Sequence, residues 1–218
     1  MRLYLVRHGE TYGNVNRILD TAHPGTALTE NGWQQVNDLV GKLADAGIAT
    51  IFSSDLIRAV QSATPLATRL GITVNPRSGL REVQAGELEG ETTQESYEIY
   101  KGTVEAWVGG DLDRKLGGEA GETGRSVLRR VDAVIREIES LDVPVAAVFA
   151  HGSLITYWTA MRGQGISVEY LNRHPHNSGW VVLEGSLDTG YHAKQWMGSA
   201  VVPGAGTPSP GIGLVRPS

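Results

Sequence analysis

Two histidines stand at matching places in the chain. VRHG occupies residues 6–9 and FAHG residues 149–152, each an apolar run that closes in His-Gly. A third apolar run, residues 49–52, closes in Ser53-Ser54-Asp55, with Arg58 one turn further on. Arg7 directly precedes the first histidine. In open α/β sheets ligands sit beyond the carboxyl ends of the strands. If these three strands are neighbours, two imidazoles and two guanidiniums converge on one patch. Guanidiniums offer planar forks of donors that match phosphate oxygens. Helix N-termini after Gly9, Asp55 and Gly152 would add free N–H groups and positive dipole ends. The glycines let backbone approach a ligand closely. An imidazole held neutral in a cationic pocket can attack phosphorus and carry it covalently. A second imidazole can stabilise the equatorial oxygens of the transition state. The leaving alcohol then needs a proton from a nearby carboxylic acid. Each piece alone has a structural explanation: a strand-end histidine bonded to backbone, a surface arginine in a first helical turn, a turn glycine. Their joint occurrence at three strand ends points to phosphoryl chemistry.

The positioning elements follow from hydrophobic pattern. Residues 3–6, 49–52, 145–150 and 180–183 are short apolar runs that read as buried strands. Continuous rather than alternating apolar strands imply a parallel sheet covered on both faces. Between them lie helical patterns. Trp33, Val36, Leu39, Val40 and Leu43 share a face, with Thr29 as N-cap and Gly47 beyond the end. Leu56, Ala59, Val60, Ala63, Leu66, Ala67 and Leu70 repeat the pattern, with Pro65 inside, which predicts a kink or a division. Leu128, Val131, Val134, Ile135, Ile138 and Leu141 form the most regular stripe, and residues 153–161 follow the third strand as a further helix. Strand–helix alternation predicts an α/β fold, a three-layer α/β/α sandwich with a mostly parallel central sheet. Residues 84–122 lack a long apolar period and read as an insertion or lid, with short helices around 94–108. Residues 199–218 are rich in Gly, Pro and Ser and read as an extended tail.

LVRHGET at 5–11, FSSDLIRAVQSA at 52–63, LREVQAGELEG at 80–90 and FAHGSLI at 149–155 resemble the histidine phosphatase, or phosphoglycerate mutase-like, superfamily. The resemblance runs from residue 1 to about residue 185, with the motifs in the family's order. It implies one domain over 1–198 with a lid at about 84–122, and the tail beyond. It implies His8 as the nucleophile that becomes phosphohistidine, with Arg7, Arg58 and His151 binding the phosphoryl group. Glu82 would give the leaving group its proton and later activate water. Asn14 would be a secondary phosphate contact, and Gly152 would offer its N–H beside His151. Asn177 resembles, more loosely, an Asn near the pocket ahead of the last core strand. Glu87 and Glu89 compete with Glu82 for the acid role, and Glu10 reads as an orienting or turn residue. The stretch 17–28 is longer and more divergent than the family's usual form, so Thr21 and His23 are candidate substrate contacts, with an exposed-loop role favoured for His23. Gly121-Glu122-Thr123 is the better of two matches to the segment that opens the long helix, with Thr123 near its N-cap. His174 and His176 lack companions at metal-ligand spacing and read as loop residues. Tyr97, Tyr100, Lys101, Arg114 and Lys115 populate the insertion, whereas Trp107 reads as its anchor to the core.

Composition bounds the rest. The chain has 218 residues, enough to bury roughly 70% of its unfolded surface. Nineteen Lys and Arg against 24 Asp and Glu give a net charge of −5, which argues against a general nucleic-acid binder. There is no Cys, so disulfides, thiolate metal sites and Cys nucleophiles are excluded. No apolar run approaches ~20 residues and the first residues read as a strand rather than a signal peptide, so no membrane partner and a cytoplasmic location are expected. There is no GxxxxGK[ST] stretch. The expected function is a metal-independent phosphatase, without cofactor, that hydrolyses a small phosphorylated metabolite at neutral pH or below. Alternatives are a cofactor-dependent phosphoglycerate mutase, a non-catalytic phospho-ligand-binding protein and a protein phosphatase. Oligomeric state is open, with a homodimer as one option.

Overall fold

A computed structural model of the chain describes residues 1–166 and 174–201. Among these residues the central sheet has eight strands: β1 (Arg2–Arg7), β2 (Thr50–Ser54), β3 (Val74–Arg77), β4 (Val145–Ala150), β5 (Gly163–Gln164), β6 (Trp180–Ser186), β7 (Gly190–Trp196) and β8 (Ser199–Ala200). The order is β3-β2-β4-β1-β6-β7-β5, with β8 paired to β7. The strands that end in the chemistry-bearing residues, β2, β4 and β1, are therefore adjacent, and they run parallel.

The parallel character covers only this half. β6 is antiparallel to β1, and β7 to β6. Residues 180–183 thus form a strand, as their apolar run predicts, but in the opposite direction. A strand covered on both faces reads as continuously apolar whichever way it runs.

Helices flank both faces. α2 (Glu30–Leu43) and α3 (Ile57–Leu70) bury Leu39, Leu43, Ala63 and Leu66 against Tyr4, Val6, Ile51, Ala147 and Phe149. α5 (Gly124–Glu139) and α6 (Gly152–Arg162) bury Val131, Ile135, Leu154 and Trp158 against Leu3, Leu5, Ala146 and Val148. Successive residues of β1 and β4 feed opposite cores, as the strand period of two requires. The three-layer sandwich results.

Four local expectations are corrected. Trp33 is 38% exposed, because it lies in the first turn of α2, off the stripe formed by Val36, Leu39 and Leu43. Leu141 lies beyond the end of α5 and is 48% exposed. α3 runs through Pro65 as one 14-residue helix. A mid-helix proline costs about 3 kcal/mol, and the fully buried Ala59, Ala63 and Leu66 on either side offset it. Residues 94–108 form one 15-residue helix, α4 (Gln94–Val108), not several. Its stripe of Ser96, Tyr100, Thr103, Val104 and Trp107 mixes polar and apolar residues, which hides the period. Of the tail, Ser199–Ala200 form β8; residues 202–218 lie outside the described residues.

Candidate active site

The β1–β4 register sets Arg7 opposite Ala150, and the His8 N–H donates to the Ala150 carbonyl at 3.1 Å. His8 and His151 therefore stand side by side, with ring centroids 5.2 Å apart. Both are buried, at 3% and 0% exposure. His8 Nδ1 lies 2.7 Å from the Gly9 carbonyl oxygen. A carbonyl can only accept, so Nδ1 carries the hydrogen and Nε2 keeps its lone pair. That lone pair accepts from Arg58 Nε at 3.1 Å. His151 differs: neither ring nitrogen has a partner among the described residues. Unpaired buried polar atoms are rare, and two on one ring at a strand end suit an oxyanion. Burial, and then the Arg58 and Arg7 guanidiniums, hold His8 well below the ordinary imidazole range, against the opposing Gly9 carbonyl. Burial, with Arg58 next, does the same to His151.

The two arginines are held differently. Arg58, in the first turn of α3, is 3% exposed. Its Nη2 donates to the Asp20 carbonyl at 2.8 Å and its Nη1 lies 3.4 Å from Asp20 Oδ2. The same Oδ2 accepts from Thr26 N and Thr26 Oγ1, at 2.9 and 2.6 Å. The stretch 17–28 thus wraps Arg58. Gly25 (φ +74°) closes the wrap; a Cβ there would lie 2.4 Å from Arg58 Nη1. Arg7 has no ion pair with any described residue. Its Nη1 donates to the Pro175 carbonyl at 2.8 Å, and its Nε is buried without a partner. Gly152 lies against it, where a Cβ would stand 3.3 Å from Arg7 Cζ.

Glu82 reaches the same strand ends. Its Oε1 accepts from Leu154 N at 2.8 Å and from Val83 N at 2.9 Å; its Oε2 accepts from Ser153 N at 3.1 Å. Free N–H groups at the start of α6 therefore go to a carboxylate of the chain itself. For Ser153 and Leu154 this corrects the expectation of free N–H groups at the helix start. The other two termini are also engaged: Thr11 and Asn14 form a capping box on α1 (Tyr12–Val15), and at α3 Leu56 N donates to Ser54 Oγ and Ile57 N to the Pro24 carbonyl. The side chains, not the helix ends, supply the cationic character. The competing carboxylates point elsewhere. Glu89 accepts from Thr21 N, Thr21 Oγ1 and Ala22 N. Glu10 accepts from Thr29 Oγ1 at 2.8 Å. Glu87 borders Gly118, whose Cβ would meet its carboxylate.

The profile of the histidine phosphatase superfamily (branch 1) matches residues 3–196. The chain belongs to that superfamily. It is 32% identical over 213 residues to the PE-PGRS family protein PE_PGRS11 of Mycobacterium tuberculosis, covering 91% of this chain and 36% of that protein. It is 30% identical over 198 residues to "Probable phosphoglycerate mutase GpmB" of Shigella boydii, covering 84% of this chain and 91% of that protein. Several of these relatives are longer than their match: the chain spans 36%, 64% and 61% of three of them. Among solved structures, a mycobacterial glucosyl-3-phosphoglycerate phosphatase complexed with VO3 superposes with a TM-score of 0.74 at 26% identity, covering 91% of this chain and 99% of that one.

Around the histidine phosphatase core, the remaining predicted residues divide. Asn14 Oδ1 accepts from Thr11 N at 3.2 Å and from Asn177 Nδ2 at 2.9 Å. Asn177 Nδ2 also contacts the His8 carbonyl at 3.2 Å, so the two asparagines back the first histidine. Thr21 is buried, and its hydroxyl is committed to Glu89 and to Ala85 N, which removes it from substrate contact. His23 is exposed in its loop. Thr123 caps α5 through a capping box with Ser126. Trp107 is fully buried and donates to the Arg114 carbonyl, as an anchor should. Tyr100 is an anchor too, donating to the Val83 carbonyl at 2.8 Å. Lys101 and Lys115 pair with Glu105 and Glu119 on exposed surface. Tyr97 lies within electrostatic reach of Arg7 and Arg17. His174, read from sequence as a loop residue, bonds Thr156 Oγ1 at 2.9 Å and lies within electrostatic reach of Glu82 and Arg7. Asp20 was not foreseen. Its signal would have been a lone carboxylate in a divergent loop, which carries no address.

Among the described residues, no group of three or more His, Cys, Asp and Glu is placed to hold a metal ion. No helix among them is long and apolar enough to cross a membrane.

Proposed function

We propose that the chain is a phosphomonoesterase that hydrolyses a small phosphorylated metabolite through phosphohistidine at His8. The observation that carries this reading is the His8 tautomer. Nδ1 is fixed as donor by the Gly9 carbonyl, which leaves an unprotonated Nε2 with its lone pair available beside the buried Arg58 and half-buried Arg7 guanidiniums. The phosphoryl group displaces Arg58 from Nε2, and Arg7, Arg58 and His151 take its oxygens. Nε2 attacks phosphorus in line, the N–P bond forms and the ester P–O bond breaks. The leaving oxygen takes a proton from the Glu82 carboxyl. In the second half the Glu82 carboxylate takes a proton from water, whose oxygen attacks phosphorus. The N–P bond breaks, phosphate leaves and His8 is restored. Asn14 and Gly152 line the phosphoryl site beside these groups. We infer that α4 forms a lid wall, with Tyr97 facing the mouth beside Arg17. The cationic rim favours an ester that carries a further anionic group.

The test is phosphate release from a panel of esters in the presence of chelator, with wild type compared against His8→Ala. The panel includes 3-phosphoglycerate, sugar phosphates, nucleotides and phosphoamino acids. Release that survives chelator and vanishes in the variant is expected. Conversion of 3-phosphoglycerate to its isomer under a bisphosphate primer, without release, would replace the hydrolase reading with a mutase. A folded protein with neither activity would leave only phospho-ligand binding.

A further inference from the structure

Residues 81–85, which carry Glu82, belong to no helix and no strand. Their backbone groups cannot be satisfied by a ladder, yet buried backbone must be paired. Side chains from other elements do it. Arg130, on α5, donates through Nη1 to the Gly79 and Arg81 carbonyls at 2.9 and 2.6 Å, and through Nη2 to the Glu82 carbonyl at 3.1 Å. Glu122 receives Arg130 Nε at 2.7 Å and Nη2 at 3.0 Å, and its Oε2 accepts from Gln84 N at 3.0 Å. Tyr100 bonds the Val83 carbonyl and Thr21 the Ala85 N–H. The pair is largely sheltered, with the Arg130 and Glu122 side chains 20% and 13% exposed.

We propose that the Arg130–Glu122 pair is the positioning device for Glu82, fixing the carbonyls on both sides of it so that its carboxyl meets the leaving oxygen. This rests on the reading of Glu82 as proton donor. Neither residue touches the phosphoryl site. Arg130 grips three carbonyls over four residues with one planar fork, which a lysine cannot reproduce. Glu122 holds the fork in plane and ties down the next amide. Misplacing a catalytic group by about 1 Å can cost roughly 100-fold in rate.

A leaving-group comparison separates positioning from general damage. An alkyl phosphate needs a proton on its leaving oxygen; p-nitrophenyl phosphate does not, because p-nitrophenolate leaves as the anion. The ratio kcat/KM covers only the steps through phosphoryl transfer to His8. Glu82→Gln is the reference, with Arg130→Met and Glu122→Gln as the tests. The vanadate-induced rise in Tm reports an intact phosphoryl site. The expectation is that Glu82→Gln depresses the alkyl ester far more than the p-nitrophenyl ester. Arg130→Met should follow the same pattern, with a selective loss of about 10- to 100-fold, and Glu122→Gln should show a smaller one. If Glu82→Gln is selective but both pair variants depress the two esters equally, or neither, the positioning role is overturned while the Glu82 reading stands. If Glu82→Gln is itself unselective, the reading of Glu82 falls and the positioning role with it. Should Arg130→Met not fold, Glu122→Gln, which keeps the arginine, decides the question alone.

Discussion

Arg7 is a half-buried cation without a carboxylate ion pair among the described residues, and its replacement by Met tests whether an anion completes it. Among the described residues its Nη1 has the Pro175 carbonyl and its Nε has no partner. A phosphoryl oxyanion would accept from the guanidinium fork. Hydrogen bonds to charged groups contribute about 1.5–3 kcal/mol each, so two amount to about 3–6 kcal/mol. That is a loss of at least 100-fold in anion affinity on Arg7→Met. At a vanadate concentration 100 times its Kd, wild type gains about 2.7 kcal/mol. For a chain of this size the gain corresponds to a rise in Tm of roughly 5–10 °C. The variant, at the same concentration, sits near or below its own Kd, and its rise should be about 1 °C. Without anion the two proteins should melt close together: removing a desolvated charge stabilises, while losing the Pro175 bond destabilises. The assay is a thermal scan over a vanadate titration, with inorganic phosphate as a weaker second probe. A variant that keeps the full rise, or a wild type that shows none at saturation, would refute the placement of an anion at Arg7.

Gly25→Ala places a Cβ 2.4 Å from Arg58 Nη1 at a φ of +74°; kcat/KM should fall about 10-fold through the displaced guanidinium. Gly47→Ala has a similar φ of +73° with open space around it, so it should lose stability but not activity; equal activity in the two variants would sink the argument. Stability should also respond to pH through the paired histidines. Their folded pKa values lie below the ordinary 6.5, so the unfolded chain binds more protons below that pH. Their contribution is complete above about pH 6.5 and falls as pH drops below it, by up to about 1.4 kcal/mol per pH unit for each imidazole. Urea unfolding at pH 7.5 and 5.5 should show a shallower decline in the His8→Asn, His151→Asn double variant than in wild type, and identical slopes would contradict the assignment.

The half of the site that stands on strands was legible in the sequence. Parallel strands put their carboxyl ends on one edge, so apolar runs ending in Arg7, His8 and His151, and one leading to Arg58, marked the set, and the adjacency of β2, β4 and β1 brings it together. β6 escaped because burial on both faces removes the alternation that would mark it as antiparallel. The half that stands on irregular backbone was legible only through the family motif around Glu82. Its partners are far away in the chain: Ser153 and Leu154 lie 71 and 72 positions from it, and Arg130 lies 48. Periodicity sees neighbours within a turn or two, so Arg130 reads as one more polar residue on the outer side of α5. Asp20 and Gly25 were hidden for the same reason, since their purpose is visible only once Arg58 lies between them.

The two His-Gly strand ends are near-copies in sequence and opposites in bonding, and that contrast bears on their roles. At His8 the following carbonyl turns back onto Nδ1, which fixes one tautomer and leaves Nε2 without a hydrogen. At His151 the chain enters α6 at once: the His151 carbonyl accepts from Ile155 N, and neither ring nitrogen is engaged by a described residue. A ring with a fixed tautomer is suited to give an electron pair. A ring with both nitrogens free can turn a donor toward an oxygen as charge develops there. Burial, and then the same cationic surroundings, lower both pKa values, yet the consequence differs. For His8 the neutral form is the reactive one from the start. For His151 an incoming dianion supplies the counter-charge that its surroundings lack, so its protonation should be coupled to substrate binding. Proton uptake on vanadate binding, measured in weakly buffered solution, should therefore be lost in His151→Asn and kept in Glu82→Gln.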